Sequence, residues 1–228
     1  MINFFQGDCM EYMRQKPDKY YDLAVVDPPY GGGKNHASQC HGYKAKNADK
    51  PKYSDSKMSE WNVAPDKSYF DELFRVSQNQ VIWGGNYFDL PPTRCFLVWH
   101  KLGFTETWQM AMAEFAWTSY DRNAKLFSCV PQGNCNEKRF HPTQKPVKLY
   151  TWIFGLFAKT GMKVLDTHGG SMSSAIAAYR CGLDMDICEL DETFFRLGKE
   201  RVEKEMRQEQ FGFVTTPVHN EQASFDFI

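Results

Sequence analysis

Tyr21-Asp22-Leu23-Ala24-Val25-Val26-Asp27-Pro28-Pro29-Tyr30 is the stretch from which the fold of this chain is read. Its first six residues form a short, mostly apolar run of the kind that makes a buried strand. Two prolines cannot extend a central strand, because neither brings an N–H to the ladder. The chain therefore leaves the sheet at Asp27, carrying an acid, a rigid elbow and an aromatic ring to the carboxyl edge. In open α/β sheets that edge is where ligands bind.

The tetrad suits transfer to an exocyclic amine. An aromatic amino group is a poor nucleophile because its lone pair is delocalised into the ring. A carboxylate at Asp27 and the carbonyl of Pro28 accept its two hydrogens and return the lone pair to nitrogen. Pro28 and Pro29 fix where that carbonyl points, and Tyr30 offers a face on which a base stacks. Four residues alone also fit a strand end followed by a proline-rich turn. A cofactor site elsewhere has to decide between the two.

The bulk composition narrows the class. At 228 residues the chain fits one α/β domain with an insertion. Its 42% hydrophobic and 24% charged residues are ordinary for a soluble globular protein. No apolar run reaches the roughly 18 residues of a membrane span, and Met1-Ile2-Asn3-Phe4-Phe5 lacks the regions of a signal peptide. The seven cysteines are odd in number and scattered, which points to reduced thiols in a cytoplasm. Neither His36, Cys40 and His41 nor Cys129 and Cys135 have the paired spacing of a zinc site, and no metal is expected. Net charge is only −1, but 31–60 holds six Lys against three acids and 121–150 six Lys/Arg against two. Such stretches line a groove for an anionic partner, or are merely solvated loops.

Taken in order, residues 1–30 read as strand, helix, strand, with Asp8 capping the helix or binding a ligand. Gly31-Gly32-Gly33 opens a polar, Lys-rich stretch to about Ser59 that reads as a mobile loop. A helix over Pro65–Val76 follows, then strands at Val81-Ile82-Trp83, Cys95–Trp99 and Ala113–Trp117. Trp83, Trp99, Trp108 and Trp117 are expected in the core rather than as base-stacking platforms. An amphipathic helix is expected from Val147 to about Ala158, after His141-Pro142-Thr143-Gln144-Lys145-Pro146.

The last third reads as a nucleotide-binding unit. Lys163-Val164-Leu165-Asp166 is a strand, Thr167-His168-Gly169-Gly170-Ser171 a tight turn, Met172 to about Arg180 a small-residue helix, and Asp184–Glu189 a second strand. Glycines let backbone approach a ligand, and an acid about 20 residues on hydrogen-bonds ribose hydroxyls. Glu189 lies 19 positions after Gly170. The G-x-G-x-x-G pattern is absent, which argues against a dinucleotide.

With both halves in view, the chain resembles the amino-directed DNA methyltransferases, in the permuted group whose catalytic motif precedes the cofactor motif. Asp27–Tyr30, His141–Pro146, Val164-Leu165-Asp166 with Gly169-Gly170-Ser171, and Cys188-Glu189-Leu190-Asp191 match that family's motifs in its order, over about 1–205. The resemblance implies an α/β, Rossmann-like fold for an S-adenosylmethionine-dependent enzyme: a seven-stranded mixed sheet, helices on both faces and an inserted recognition region. It implies a catalytic domain over 1–210, with recognition loops at 31–64 and about 100–140. The reaction implied is methylation of adenine N6, the base being flipped from double-stranded DNA into the Asp27–Tyr30 pocket. Asp27, Pro28, Pro29 and Tyr30 are its catalytic residues. Asp166 and the turn through Thr167, His168, Gly169, Gly170 and Ser171 hold the methionine part of the cofactor, Glu189 its ribose and Asp8 its adenine end, with Asp27, Ser173 and Leu190 also at the cofactor site. Thr143 and Lys145 close the pocket, Lys145 lying near the cofactor carboxylate or pairing with an acid.

The cofactor turn departs from the family pattern. Thr167-His168 stand for Pro-Phe, and Met172 stands for a glycine, so its side chain must point away from the cofactor. N4-cytosine or RNA methylation, and a non-catalytic DNA- or clamp-binding protein, remain as alternatives. Relatives in the permuted group are often dimers, and are bacterial or phage-encoded. The tail 211–228 reads as flexible. Its Gln222–Phe227 resembles peptides that dock in the bacterial sliding clamp, or folds back onto its own core.

Overall fold

The apolar run that opens the reading forms the centre of the sheet. In a computed structural model, which describes residues 1–31, 63–107, 111–131 and 139–210, Tyr21–Val26 is strand β2. Leu23, Ala24, Val25 and Val26 are wholly buried there, as a strand covered on both faces requires. In chain order the elements are β1 (Ile2–Gln6), α1 (Cys9–Arg14), β2, α2 (Lys67–Val76), β3 (Ser77–Trp83), β4 (Leu97–Lys101), β5 (Ala113–Thr118) and β6 (Lys125–Cys129). They continue with α3 (Val147–Phe157), β7 (Lys163–Asp166), α4 (Ser173–Arg180), β8 (Asp184–Glu189) and α5 (Glu192–Gln210).

The strand order is β1-β8-β7-β2-β3-β5-β4-β6. Strands β1, β8, β7, β2 and β3 are parallel, whereas β5 is antiparallel to both β3 and β4. Two strands from late in the chain, β7 and β8, thus enter between β1 and β2. Parallel pairing of Ala24 with Leu165 brings the ends of β2 and β7 side by side. Pairing of Gln6 with Glu189 does the same for β1 and β8.

One face of the sheet packs Val25, Val81, Trp83, Leu97 and Trp99 against α3 and α4. The other packs Ala24, Val26 and Ile82 against Met13 of α1 and Tyr69, Phe70 and Leu73 of α2. Asp66 starts α2 by accepting the Ser68 amide at 2.9 Å, the role a side chain plays at a helix N-terminus. Trp83, Trp99 and Trp117 are core residues, as expected from their sequence context.

The fold class agrees with the sequence reading, with one correction: among the described residues the sheet has eight strands, not seven. The extra strand is β6, which pairs parallel with β4 at the sheet's edge. Lys125-Leu126-Phe127-Ser128-Cys129 gives no clear strand signal because an edge strand keeps half its residues wet, and Leu126 is 65% exposed. No described helix is long and apolar enough to cross a membrane. Residues 32–62, 108–110, 132–138 and 211–228 lie outside the described residues. With them lie most of the recognition-loop expectations, His36, Cys40, His41, Trp108, Cys135 and the Gln222–Phe227 segment.

Met172 takes the left-handed conformation, φ 55° and ψ 32°, where glycine is usual. Its side chain is fully buried and points away from the turn into a notch on α5, where a Cβ on Gly198 would lie 2.7 Å from Met172 Cγ. The notch is what lets a methionine stand in the turn. Gly198→Leu is expected to cost about 1–3 kcal/mol by overpacking, read as a lower midpoint in thermal unfolding. Adding Met172→Gly, which suits the left-handed backbone, should recover most of that loss.

Candidate active site

Five of the strands that end at the carboxyl edge deliver something to one place. β1 leads to Gly7 and Asp8, β2 to Asp27–Tyr30, β3 to Gly84, β7 to Thr167–Ser171 and β8 to Glu189. Antiparallel β5 begins at the same edge and contributes Glu114. Apart from Gly84, which packs against Tyr30, these residues line a cavity of about 790 Å³, within the range of ligand sites.

At one end stands the tetrad. The Tyr30 hydroxyl donates to Asp27 Oδ1 at 2.7 Å, and Lys145 Nζ donates to Asp27 Oδ2 at 2.5 Å. Tyr30 is held by its surroundings, stacked on Tyr87 with ring centroids 5.0 Å apart and 17° between planes. Gly84 permits this: its φ is +69°, and a Cβ there would lie 2.2 Å from Tyr30 Cε1. Burial, then the neighbouring Asp27 charge, push the Tyr30 hydroxyl well above its ordinary pKa, so it stays a donor.

Lys145 is the junction of a buried chain of charges. Glu114 Oε2 lies 3.1 Å from its Nζ, and Glu114 Oε1 lies 2.5 Å from Lys101 Nζ. Burial acts to raise the Glu114 carboxyl, but the ammonium groups of Lys145 and Lys101 hold it down to about 2. Burial acts to lower the Lys145 ammonium, and Asp27 and Glu114 outweigh it and raise the pKa. Glu114 and Lys145 are therefore both charged at neutral pH, and carboxylates and ammonium groups alternate from Asp27 to Lys101. Lys101 and Glu114 are site residues the sequence reading missed. Neither sits in a motif, and only the antiparallel pairing of β4 with β5 brings them together.

The other end is built on the glycine turn. Glu189 accepts the Gly170 amide at 2.6 Å and the Asp191 amide at 2.9 Å, and it faces the cavity. Burial raises its pKa. Leu190 beside it is 64% exposed and forms an apolar lip. Asp8 lines the same end while capping α1 through the Met10 amide at 2.8 Å, so it caps the helix and stands at the ligand cavity at once. Thr143 lines the opposite wall, its Oγ1 3.2 Å from His141 Nδ1.

Two expected residues do not reach the cavity lining. Asp166 lies beneath the turn, accepting the His168 amide at 3.0 Å and the Ser174 hydroxyl at 2.5 Å. It shapes the turn rather than facing a ligand. Burial raises its carboxyl to about 7, against those two hydrogen bonds. Ser173 Oγ is engaged by Arg201 at 2.9 Å and lies 3.1 Å from Ser171 Oγ. Thr167, His168, Gly169, Gly170 and Ser171 do line the cavity.

The two site histidines are neutral. Burial lowers His168 to about 4, and burial with the nearby Lys145 and Arg139 charges lowers His141 to about 3. A depressed histidine pKa gives stability that is present above about pH 6.5 and lost as pH falls towards the folded value. The raised Asp166 carboxyl acts oppositely, adding stability as pH falls from about 7. The buried Glu189 carboxyl, also raised, acts in the same sense as Asp166, so the two carboxyls offset part of the imidazoles' loss of stability as pH falls. Denaturant titrations at stepped pH should show it, and NMR should find both imidazoles titrating below about pH 5.

Among the described residues, six carboxylates line the cavity, from Asp8, Asp27, Glu114, Glu189, Asp191 and Glu192, against one ammonium, from Lys145. That balance repels phosphates and attracts a cation. Carboxylate acceptors at Glu189, an apolar lip at Leu190 and a glycine turn suit a nucleoside, so the residues present fit a positively charged nucleoside such as S-adenosylmethionine.

The chain has the fold of the S-adenosylmethionine-dependent methyltransferases. Solved structures make the same point. The chain is similar to the M1.HpyAVI–SAM complex (TM-score 0.56, 19% identity, 88% of this chain and 100% of that one). It is similar to the cytosine-N4-specific PvuII DNA methyltransferase (TM-score 0.58, 12% identity, 92% and 93%) and to a DNA modification methylase of Thermus thermophilus (TM-score 0.54, 16% identity, 90% and 96%). In sequence it is 26% identical to the methylase YubD of Escherichia coli K12, over 93% of this chain and 95% of that protein. No family model matches the chain. The resemblance to DNA methyltransferases thus recurs in the fold of these solved structures.

Proposed function

We propose that this protein transfers a methyl group from S-adenosylmethionine to the exocyclic amine of a base in DNA, with adenine N6 as the acceptor. The observation that carries the reading is the Asp27 carboxylate, held at the end of β2 between Tyr30 and Lys145 and facing a cavity whose far end is a glycine turn with Glu189.

S-adenosylmethionine supplies an electrophilic methyl on a cationic sulfur. Glu189 and the turn 167–171 hold the nucleoside and amino-acid parts, and the excess of carboxylates favours the sulfonium charge. Asp27 accepts an N–H of the amine, and the Pro28 carbonyl accepts the other. With both hydrogens held, the nitrogen lone pair turns out of the ring towards the methyl carbon. Bound S-adenosylmethionine would give up its methyl and keep the bonding pair on sulfur, and the amine nitrogen would shed one proton, for which Asp27 is the adjacent base. Most of the acceleration comes from alignment of amine, methyl and sulfur. Neutral His141 and His168 add no positive charge beside the sulfonium.

An acid-led tetrad ending in tyrosine favours adenine. Cytosine N4 is the second reading, and similarity to the cytosine-N4-specific PvuII enzyme supports it. The test is transfer of labelled methyl from S-adenosylmethionine to mixed-sequence duplex DNA, with nucleoside analysis of the product. N6-methyladenine is the expected product. N4-methylcytosine would move the assignment to the second reading. Label entering only RNA, or none entering nucleic acid, would overturn it.

A further inference from the structure

The hydroxyl of Tyr30 sits between two groups of opposite hydrogen-bonding sense. It donates to Asp27 Oδ1 at 2.7 Å and faces Lys145 Nζ at 3.4 Å. One oxygen satisfies the first contact and is too far for a good second one. An amine N–H with a ring nitrogen beside it presents a donor and an acceptor on two adjacent atoms, and can close both contacts. Adenine has that edge at N6 and N1, and cytosine at N4 and N3.

We infer that Lys145 is a specificity-determining residue, donating to the ring nitrogen next to the methylated amine while Asp27 accepts from the amine, and that the Tyr30 hydroxyl holds this place until the base enters. The inference rests on the base-methylation reading above and adds to it which edge of the base is read.

Three observations support the assignment. Lys145 is 5% exposed, so its ammonium is desolvated and its position is set by partners rather than by water. Those partners are on two sides, Asp27 and Glu114, and the ring of Trp83 lies 5.3 Å away. An ammonium carries three N–H donors; Asp27 Oδ2 takes one, and Glu114 Oε2 lies 3.1 Å from the same nitrogen. The ammonium N–H groups are turned towards Asp27 and Tyr30, the side on which the base edge would lie. Glu114 thus acts as a counter-charge that keeps Lys145 in place, and with both carboxylates served one ammonium N–H is left for the base edge. An adjacent donor and acceptor of this kind read an edge much as a bidentate side chain does in a groove.

The test is a chemical double-mutant cycle. The methylated position is first located by sequencing the modified DNA. A short duplex then carries 1-deazaadenine there (3-deazacytosine if the target is cytosine), which keeps the amine and lacks the acceptor nitrogen. For the wild-type protein, kcat/KM on the analogue should fall about 10- to 100-fold below the natural base. In Lys145→Met the same ratio should shrink to within about threefold, because the lost nitrogen no longer has a donor. An analogue as good as the natural base in the wild type overturns the inference, and that comparison needs no variant to fold. An equal ratio in wild type and Lys145→Met also overturns it, since the two changes would then act independently. Lys145→Arg, which keeps the charge but displaces the donors, should likewise lose discrimination. Absence of transfer to natural DNA would instead defeat the base-methylation reading itself, and this inference with it.

Discussion

Asp27→Ala is expected to transfer methyl about 10³-fold more slowly than the wild-type protein, with S-adenosylmethionine still bound. The magnitude is that of removing a positioned group that handles a proton in the transition state. Here the same carboxylate also orients the amine, so the loss should not sit at the low end, about 10²-fold, of what such groups contribute. Cofactor binding survives because Glu189 and the turn 167–171 lie at the other end of the cavity. The fold survives because Asp27 is 17% exposed and Lys145 keeps Glu114 as a partner. Single-turnover transfer separates chemistry from binding, and equilibrium dialysis with labelled cofactor supplies the control. Asp27→Asn keeps an acceptor oxygen but no charge and should recover only a small part of the rate. Transfer within about tenfold of wild type in Asp27→Ala would remove Asp27 as the amine's acceptor and make the tetrad a structural turn.

Glu114→Ala should have the largest effect on stability. The carboxylate sits between Lys145 and Lys101, whose side chains are 5% and 12% exposed. Lys145 keeps Asp27, but the ammonium of Lys101 loses its Glu114 partner, and leaving a buried charge uncompensated typically costs about 3–5 kcal/mol. In a chain of this length that corresponds to a fall of roughly 10 °C in Tm. Glu114→Gln keeps a polar acceptor and should cost less. The pH dependence follows from the depressed carboxyl. Its contribution is complete above the ordinary carboxylate pKa and is lost as pH falls from about 4.5 towards 2. In Glu114→Gln that part of the acid limb should disappear. A fall of less than about 1 kcal/mol in Glu114→Ala would mean that water replaces the carboxylate and that the charge chain is not structural.

Much of this site was legible before any coordinates, for reasons that differ from residue to residue. Asp27 could be placed because two prolines end a strand at a definite point, and a strand end has a definite edge. Glu189 could be placed because a glycine turn and a following strand fix its distance along the chain. Met172 could be oriented because no side chain fits where the turn faces a ligand. Each argument needs only local geometry.

Other features depend on which strands become neighbours. Strand β6 escaped because an edge strand has no second neighbour to make it uniformly apolar. Lys101 and Glu114 escaped because their meaning lies in the β4–β5 pairing and in Lys145, which is remote from Glu114 along the chain. Asp166 and Ser173, adjacent in sequence to residues near the cavity, turn instead into the interior to hold the turn. Side-chain direction within a tight turn is set by the hydrogen bonds that close it, and spacing does not report those.

Local signals were therefore enough for the α/β class, for the edge at which chemistry happens and for the two ends of the site. The strands that carry those ends announce themselves by rules of proline, glycine and apolar runs. Long-range folding was needed to bring β7 and β8 in between β1 and β2, and to turn Lys145 to Asp27 and Tyr30. Those outcomes follow from strand pairing across the chain and from the need to neutralise buried charge, and no short stretch of residues encodes either.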